Sequence, residues 1–332
     1  MIEYKNIRSV HLEISTRCNA ACPDCPRNFR GVNSITDYPL VDMSLATAQK
    51  LFTEPFLKQL DHILINGNYG DFITASDGPA IVEYFLSVNP LLKLEISTNA
   101  SGKPHIWEQL GKLGITVYFR LDGLIDTHHL YRQNTNFDLI IENAKKFISA
   151  GGHAIWAMIP FDHNQHQIDQ CRQLSKELGF KKFQLVDAGR NTMPVFTADK
   201  KLKYLIGNYQ GSTNYEELFA QTISNFKYSK NELLQMTDTS HTVACYAKKQ
   251  REIYISANGE VYPCCFLGFY PALQPNATRN QQLVPLITKN NALDYSIEES
   301  VAWFTAIEES WQADSVANGK LYTCDQYCKT KQ

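Results

Sequence analysis

The chain has 332 residues, 44% hydrophobic and 20% charged, too apolar for a disordered polymer and long enough for one large domain plus a smaller appendage. With 32 basic against 34 acidic residues and no long run of either sign, the formal charge of -2 argues against a broad nucleic-acid or anionic-membrane surface. Nowhere do roughly 18 uncharged apolar residues run together, and the charged opening MIEYKNIRSVHLEIS lacks an apolar stretch of signal-peptide length, so a cytoplasmic protein is expected.

From residue 10 to 187, short β-branched or apolar runs alternate with longer stretches of helical period. That rhythm belongs to βαβ units and a parallel sheet. Strands are expected at VHLEIS (10–15), HILIN (62–66), KLEIS (93–97), TVYFRL (116–121), AIWAMI (154–159) and FQLVD (183–187), with helices near 44–58, 78–88, 104–113, 136–150 and 163–178. Six parallel strands can close partly into a barrel or open into a doubly wound sheet, and the period does not choose between them. In both, ligands gather at the carboxyl ends of the strands. The loops expected there are the cysteine loop, NGNYGD (66–71), STNAS (97–101), DGL (122–124), PFDHN (160–164) and DAGRN (187–191), each polar, glycine-containing or both.

Residues 191–244 lose the alternation and read as a connector between a core at 1–190 and a small module at 245–332. Within the module, REIYISANGEVYPCC (251–265) reads as two strands around an Asn-Gly turn.

Nine cysteines, an odd number in a large chain without an export signal, argue for reduced thiols that bind metal or react. Cys171 stands alone in the helical DQCRQLSKELGF and is expected to pack as a small apolar residue. Cys18, Cys22 and Cys25 fall in one loop at CxxxCxxC spacing. A structural zinc takes four protein ligands and an iron–sulfur cube normally takes four thiolates, so three thiols leave an open coordination position. Zinc completed by a distant group such as His11, or by a C-terminal cysteine, is the alternative that spacing leaves open. The later cysteines Cys245, Cys264, Cys265, Cys324 and Cys328 flank the expected hairpin and the chain end, a layout that also suits a zinc ribbon.

CNAACPDC directly after a first strand resembles the cluster loop of the radical S-adenosylmethionine superfamily. The resemblance implies an α/β fold, a partial (β/α)6 TIM-like barrel, with Cys18, Cys22 and Cys25 on three irons of a [4Fe–4S] cluster. The fourth iron would be chelated by the amino and carboxylate groups of S-adenosylmethionine, which one electron cleaves to a 5′-deoxyadenosyl radical that abstracts hydrogen. NGNYGD takes the place of the family's Gly-Gly-Glu motif, making Gly67, Asn68, Gly70 and Asp71 cofactor-binding candidates. Ser97, Thr98 and Asn99 resemble the polar segment that reaches the ribose or methionine part. FRLDGL sits where relatives carry Ser-x-Asp-Gly. Arg120 replaces the serine and is a candidate for the methionine carboxylate or the substrate; Asp122 is a catalytic candidate or a cap of the following turn. Asp24 departs from the aromatic that relatives place before the third cysteine, so adenine contacts are expected from residues near Ile159 and Phe161.

Cys245, thirteen residues, Gly259, EVYP and Cys264 resemble the auxiliary-cluster extension called SPASM or, when shorter, Twitch. The chain lacks the additional CxxC and further Cys of the full SPASM pattern. The resemblance therefore implies a small C-terminal hairpin and helical domain with one auxiliary [4Fe–4S] cluster on Cys245, Cys264, Cys324 and Cys328. Cys265 would be a spare or alternative ligand, and Cys265 or Cys171 would be the thiol donor that an epimerisation needs. Tyr69, His128, His129, Trp156, His163, His166 and Arg190 are further candidates for lining the site.

The implied function is modification of a ribosomally made peptide by thioether formation, carbon–carbon crosslinking or epimerisation, with an electron donor such as flavodoxin or ferredoxin. Small-molecule dehydrogenation or epimerisation is the alternative. The cysteine loop begins at residue 18, so no leader-binding domain is expected ahead of it, which weighs towards that alternative. A non-catalytic zinc protein that binds nucleic acid is a third reading, and neutral charge with an open three-thiol site counts against it.

Overall fold

A computed structural model describes residues 2–33, 39–187, 192–226, 242–268 and 282–329. Arg190 and residues 227–241 of the expected connector lie outside them. Twelve strands are described: β1 (Ser9–Leu12), β2 (Asn28–Phe29), β3 (Val32–Asn33), β4 (His62–Ile65), β5 (Lys93–Thr98), β6 (Thr116–Arg120), β7 (His153–Met158), β8 (Lys182–Leu185), β9 (Met193–Phe196), β10 (Leu202–Ile206), β11 (Glu252–Ile255) and β12 (Val261–Tyr262). The chain forms two compact units, and β4 straddles the division between them. No helix among the described residues is long and apolar enough to cross a membrane.

One unit comprises Glu13–Leu45 and Leu64–Phe219. Its strands β5, β6, β7 and β8 pair in that order, all parallel. Parallel strands covered by crossover helices are buried on both faces, and Leu94, Ile96, Val117, Phe119, Ala154, Trp156, Ala157 and Met158 are all buried. Helix Phe137–Ser149 shows why the period was readable: Ile140, Asn143, Ala144 and Phe147 fall on one buried stripe, and Asn136 caps its start by accepting from the Leu139 N–H at 3.0 Å. Trp107, Phe119, Phe147, Trp156 and Phe180 make an aromatic core, with ring centroids 5.2 Å apart for Trp107 and Phe119 and 5.5 Å for Trp156 and Phe180. Trp156 is fully buried there and donates its indole N–H to the Leu121 carbonyl at 2.9 Å, so it packs in the core. Cys171 is buried in helix Ile168–Glu177, as expected, and burial pushes its thiol up to about 12.

The other unit comprises Met1–Leu12, Ala46–Ile63 and Ala220–Gln332. Here β1 pairs in parallel with β11, and β11 pairs antiparallel with β12. The Asn258-Gly259 turn forms as read, with Gly259 at a φ of 85°.

Three expectations are corrected. The first strand ends at Leu12 instead of residue 15, because Glu13 turns its carboxylate to the loop after β4 and Ser15 bridges to Asp42. The helix expected near 44–58 is two helices, Leu45–Leu51 and Glu54–Gln59. Pro55 lacks the N–H that a continuous helix would need, and Thr53 is extended. The stretch expected as a plain connector contains the antiparallel hairpin β9–β10, whose Met193, Val195 and Ile206 pack with Cys22, Tyr131, Ile159 and Phe161.

Candidate active site

The first candidate site lies wholly in the unit that carries β5 to β8. Glu13, fully buried at the end of the first strand, accepts from the N–H groups of Tyr69 and Gly70 at 2.7 and 3.0 Å. This draws NGNYGD tightly against the chain entering the cysteine loop. A Cβ on Gly70 would lie 1.8 Å from the Ser15 carbonyl oxygen, and one on Gly67 would lie 2.4 Å from the Gly70 oxygen, so only glycine fits at either position. Asn68 between them is half-buried, and Tyr69 is buried.

Asp71 joins this loop to the next one. Its carboxylate accepts from Thr98 Oγ1 at 2.5 Å, from the Asn99 N–H at 2.8 Å and from the Ile73 N–H at 3.2 Å. Burial raises its pKa, and these three donors together with the Arg132 cation oppose the rise. Asn99 in turn donates through Nδ2 to Asn19 Oδ1 at 2.9 Å and to Cys18 Sγ at 3.7 Å. The structure therefore brings Asp71, Thr98 and Asn99 together beside the first thiol. Ser97, one residue further back, receives the Arg120 Nε donor at 2.9 Å.

Asp122 is fully buried with both oxygens engaged. Oδ1 accepts from the Ile159 N–H and Oδ2 from Arg132 Nε, each at 2.6 Å. Its own N–H donates to His128 Nδ1 at 3.1 Å, which leaves the proton on His128 Nε2 to donate to Thr135 Oγ1 at 3.0 Å. Burial lowers the His128 pKa from 6.5 to about 4, so the ring is neutral near pH 7. The folded-state value is depressed. Stability from the neutral ring is thus complete above 6.5 and is lost as pH falls toward 4, by on the order of 3 kcal/mol. Replacing His128 by Gln is expected to flatten the urea midpoint across that window; an unchanged slope would show that His128 is not the titrating group.

Sequence reasoning missed Arg132. Its Nη1 donates to Cys22 Sγ at 3.8 Å, and its side chain is only 13% exposed. Nothing in the LYRQN segment signals a contact made across 110 positions. His163, also on the rim, is stacked on Phe161 with centroids 5.2 Å apart.

Around the three thiols the donors suit bound thiolates. Cys18 Sγ accepts from the Ala20 N–H at 3.4 Å and from Asn99, and Cys22 Sγ accepts from Arg132. Burial raises the Cys18 thiol, and Asp71, Cys22 and Cys25 add to the rise, so an anion there calls for a cation or metal. Asp24 pairs with Arg30 at 3.8 Å.

The second site lies in the other unit. Cys245 caps helix Tyr246–Gln250 and accepts from the Lys248 N–H at 3.4 Å. The Ala244 N–H donates to the Cys328 carbonyl at 2.6 Å, which pins the chain end beside it. Cys264 follows β12, and Cys324 lies in helix Tyr322–Tyr327 with Cys328 at its carboxyl end. Cys245 feels the charge of Cys328, Cys264 that of Cys245 and Cys324, Cys324 that of Cys245, and Cys328 that of Cys264 and Cys324. Within the set, hydrogen bonding between Cys245 and Cys328 holds the Cys328 thiolate down and pushes Cys245 up. Cys265 borders Cys264 and Glu252, and burial raises it to about 11. Among the described residues no group of three or more His, Cys, Asp or Glu is packed closely enough to hold a single metal ion.

No family model and no curated protein matches this sequence. Solved structures do. SuiB of Streptococcus suis superposes with a TM-score of 0.56 over 90% of this chain and 67% of its own, at 16% identity. SuiB bound to its precursor peptide SuiA gives 0.57 over 96% and 77%, at 14% identity. The protein anSMEcpe with bound AdoMet gives 0.54 over 94% and 85%, at 15% identity. The chain therefore has the mixed α/β fold, with a parallel sheet, of these S-adenosylmethionine-binding proteins, in agreement with the α/β class expected from its sequence.

Proposed function

We propose that this chain is a radical S-adenosylmethionine enzyme that modifies a ribosomally made peptide. The observation that carries the reading is the set of donors around the cysteine loop. Three thiols share one loop, and the Ala20 N–H, Asn99 and Arg132 point at two of their sulfurs. Cys18, Cys22 and Cys25 would hold a [4Fe–4S] cluster, which would supply the one electron needed to cleave S-adenosylmethionine to methionine and a hydrogen-abstracting 5′-deoxyadenosyl radical.

The chain's own residues prepare the site. Gly67, Asn68 and Gly70 offer backbone to the methionine amino group, and Asp71 fixes that loop against Thr98 and Asn99. Ser97 and Arg120 form a polar pair for the ribose or carboxylate, while Ile159 and Phe161 give the adenine an apolar wall beside Cys22. A partial barrel in 1–190, the connector 191–244 and a SPASM or Twitch-like module in 245–332 complete the proposed organisation. In that module Cys245, Cys264, Cys324 and Cys328 hold one closed auxiliary cluster. Cys265 serves as a spare or alternative ligand or as a thiol hydrogen donor, and flavodoxin or ferredoxin supplies electrons. Peptide chemistry is favoured by the likeness to SuiB, which is seen bound to its precursor peptide.

The test is anaerobic reconstitution. About eight irons per chain are expected, and dithionite with S-adenosylmethionine should release 5′-deoxyadenosine. Zinc in place of iron and sulfide, or a loaded protein that releases no 5′-deoxyadenosine even with candidate precursor peptides, would overturn the assignment.

A further inference from the structure

We propose that Arg132 sets the reduction potential of the cluster at the cysteine loop, and that Asp122 is the positioning residue that aims it. The proposal rests on the reading that Cys18, Cys22 and Cys25 hold that cluster. Arg132 follows the short helix His128–Tyr131, and its guanidinium is fixed from two sides. Nε donates to Asp122 Oδ2 at 2.6 Å, while Nη1 reaches Cys22 Sγ at 3.8 Å. Asp122 is itself immobile, since Ile159 N–H holds its other oxygen and its backbone N–H is tied to His128. The Arg132 carbon Cζ also lies 5.4 Å from the Tyr131 ring centroid, adding a third restraint.

The chemistry follows from charge. Reduction adds one negative charge to a thiolate-ligated cluster. A cationic donor on a ligand sulfur stabilises the reduced state more than the oxidised one, and so raises the potential. The effect is large because the pair is nearly shielded from solvent, with 13% of the arginine and none of the aspartate side chain exposed. Arginine suits the position because its fork serves two acceptors at a fixed angle, which a lysine point charge does not. Asp122 offsets the charge of the pair, and the guanidinium is the member that contacts the sulfur, through Nη1, so the donor at Cys22 is a cation.

The experiment is a redox titration of reconstituted full-length protein, followed by electron paramagnetic resonance, with the auxiliary cluster as internal reference. In Arg132→Met the S-adenosylmethionine-responsive cluster should be about tenfold less reduced at a fixed potential, a shift of about 59 mV to more negative values for one electron. The auxiliary midpoint should not move. If Arg132→Met fails to fold, Arg132→Gln, which keeps a polar donor and removes the charge, decides the question: a shift in the same direction upholds the role of the cation, and an unchanged midpoint of the loaded cluster overturns it. A loaded cluster with an unchanged midpoint in Arg132→Met overturns the role of Arg132 alone. An iron count that does not fall when Cys18, Cys22 and Cys25 are replaced removes the cluster from this loop and the proposal with it.

Discussion

Replacing Cys18, Cys22 and Cys25 together by alanine is expected to lower the iron of reconstituted protein from about eight to about four per chain and to reduce 5′-deoxyadenosine release to background. The two thiol sets lie in separate units, and the proposed ligand numbers differ, three against four, so one should be emptied while the other stays loaded. On the proposed assignment the remaining cluster would be closed by Cys245, Cys264, Cys324 and Cys328, with no iron free for a new ligand. Its resonance spectrum should therefore ignore added S-adenosylmethionine. A soluble triple variant that keeps eight irons, or whose remaining cluster shifts with S-adenosylmethionine, would show the ligand sets to be wrong.

Gly70→Ala is expected to be the most damaging single substitution outside the thiols. The added carbon would stand 1.8 Å from the Ser15 oxygen and 2.4 Å from the Ser15 carbonyl carbon, both main-chain atoms that no rotamer change can move. Either the NGNYGD loop or the chain entering the cysteine loop must shift. Both hydrogen bonds to Glu13 and the Asp71 N–H donor to the Arg17 carbonyl at 2.8 Å are then at risk. A loss of about 3 kcal/mol or more in urea unfolding is expected, together with loss of the cluster's spectral response to S-adenosylmethionine. A variant within about 1 kcal/mol of wild type would mean that the loop tolerates the displacement.

Local signals made much of the fold legible. Helix Gly78–Val88 appears at the bounds read from its apolar period, with proline in its first turn, and β5 to β8 lie within a residue or two of their apolar runs. The β9–β10 hairpin was not legible, because Pro194 inside β9 reads against a strand and its tip is a polar Thr-Ala-Asp-Lys loop in place of an Asn-Gly turn. At the candidate site, short-range spacing grouped Cys18, Cys22 and Cys25, and the resemblance of NGNYGD to a family motif pointed to Gly70 and Asp71. The pairing of Arg132 with Cys22 and Asp122 could not, since it is made by tertiary packing between segments that share no pattern. The same limit hid Glu13, whose partners Tyr69 and Gly70 lie more than fifty positions away.

The parallel pairing of β1 with β11 joins Ser9 to Glu252, 243 positions apart, and the Ser9 hydroxyl donates to the Glu252 carboxylate at 3.1 Å. A ribosome adding about 5 to 20 residues per second needs about 10 to 50 s to make the second strand after the first has emerged. Throughout that time β1 lacks its β11 partner, while the three loop thiols are already exposed to metal and oxidant. Synthesis is thus the period when this chain is most open to strand-edge association and mismetallation. Slowed translation between residues 12 and 252 should lower the yield of loaded protein more than the same delay placed after residue 255.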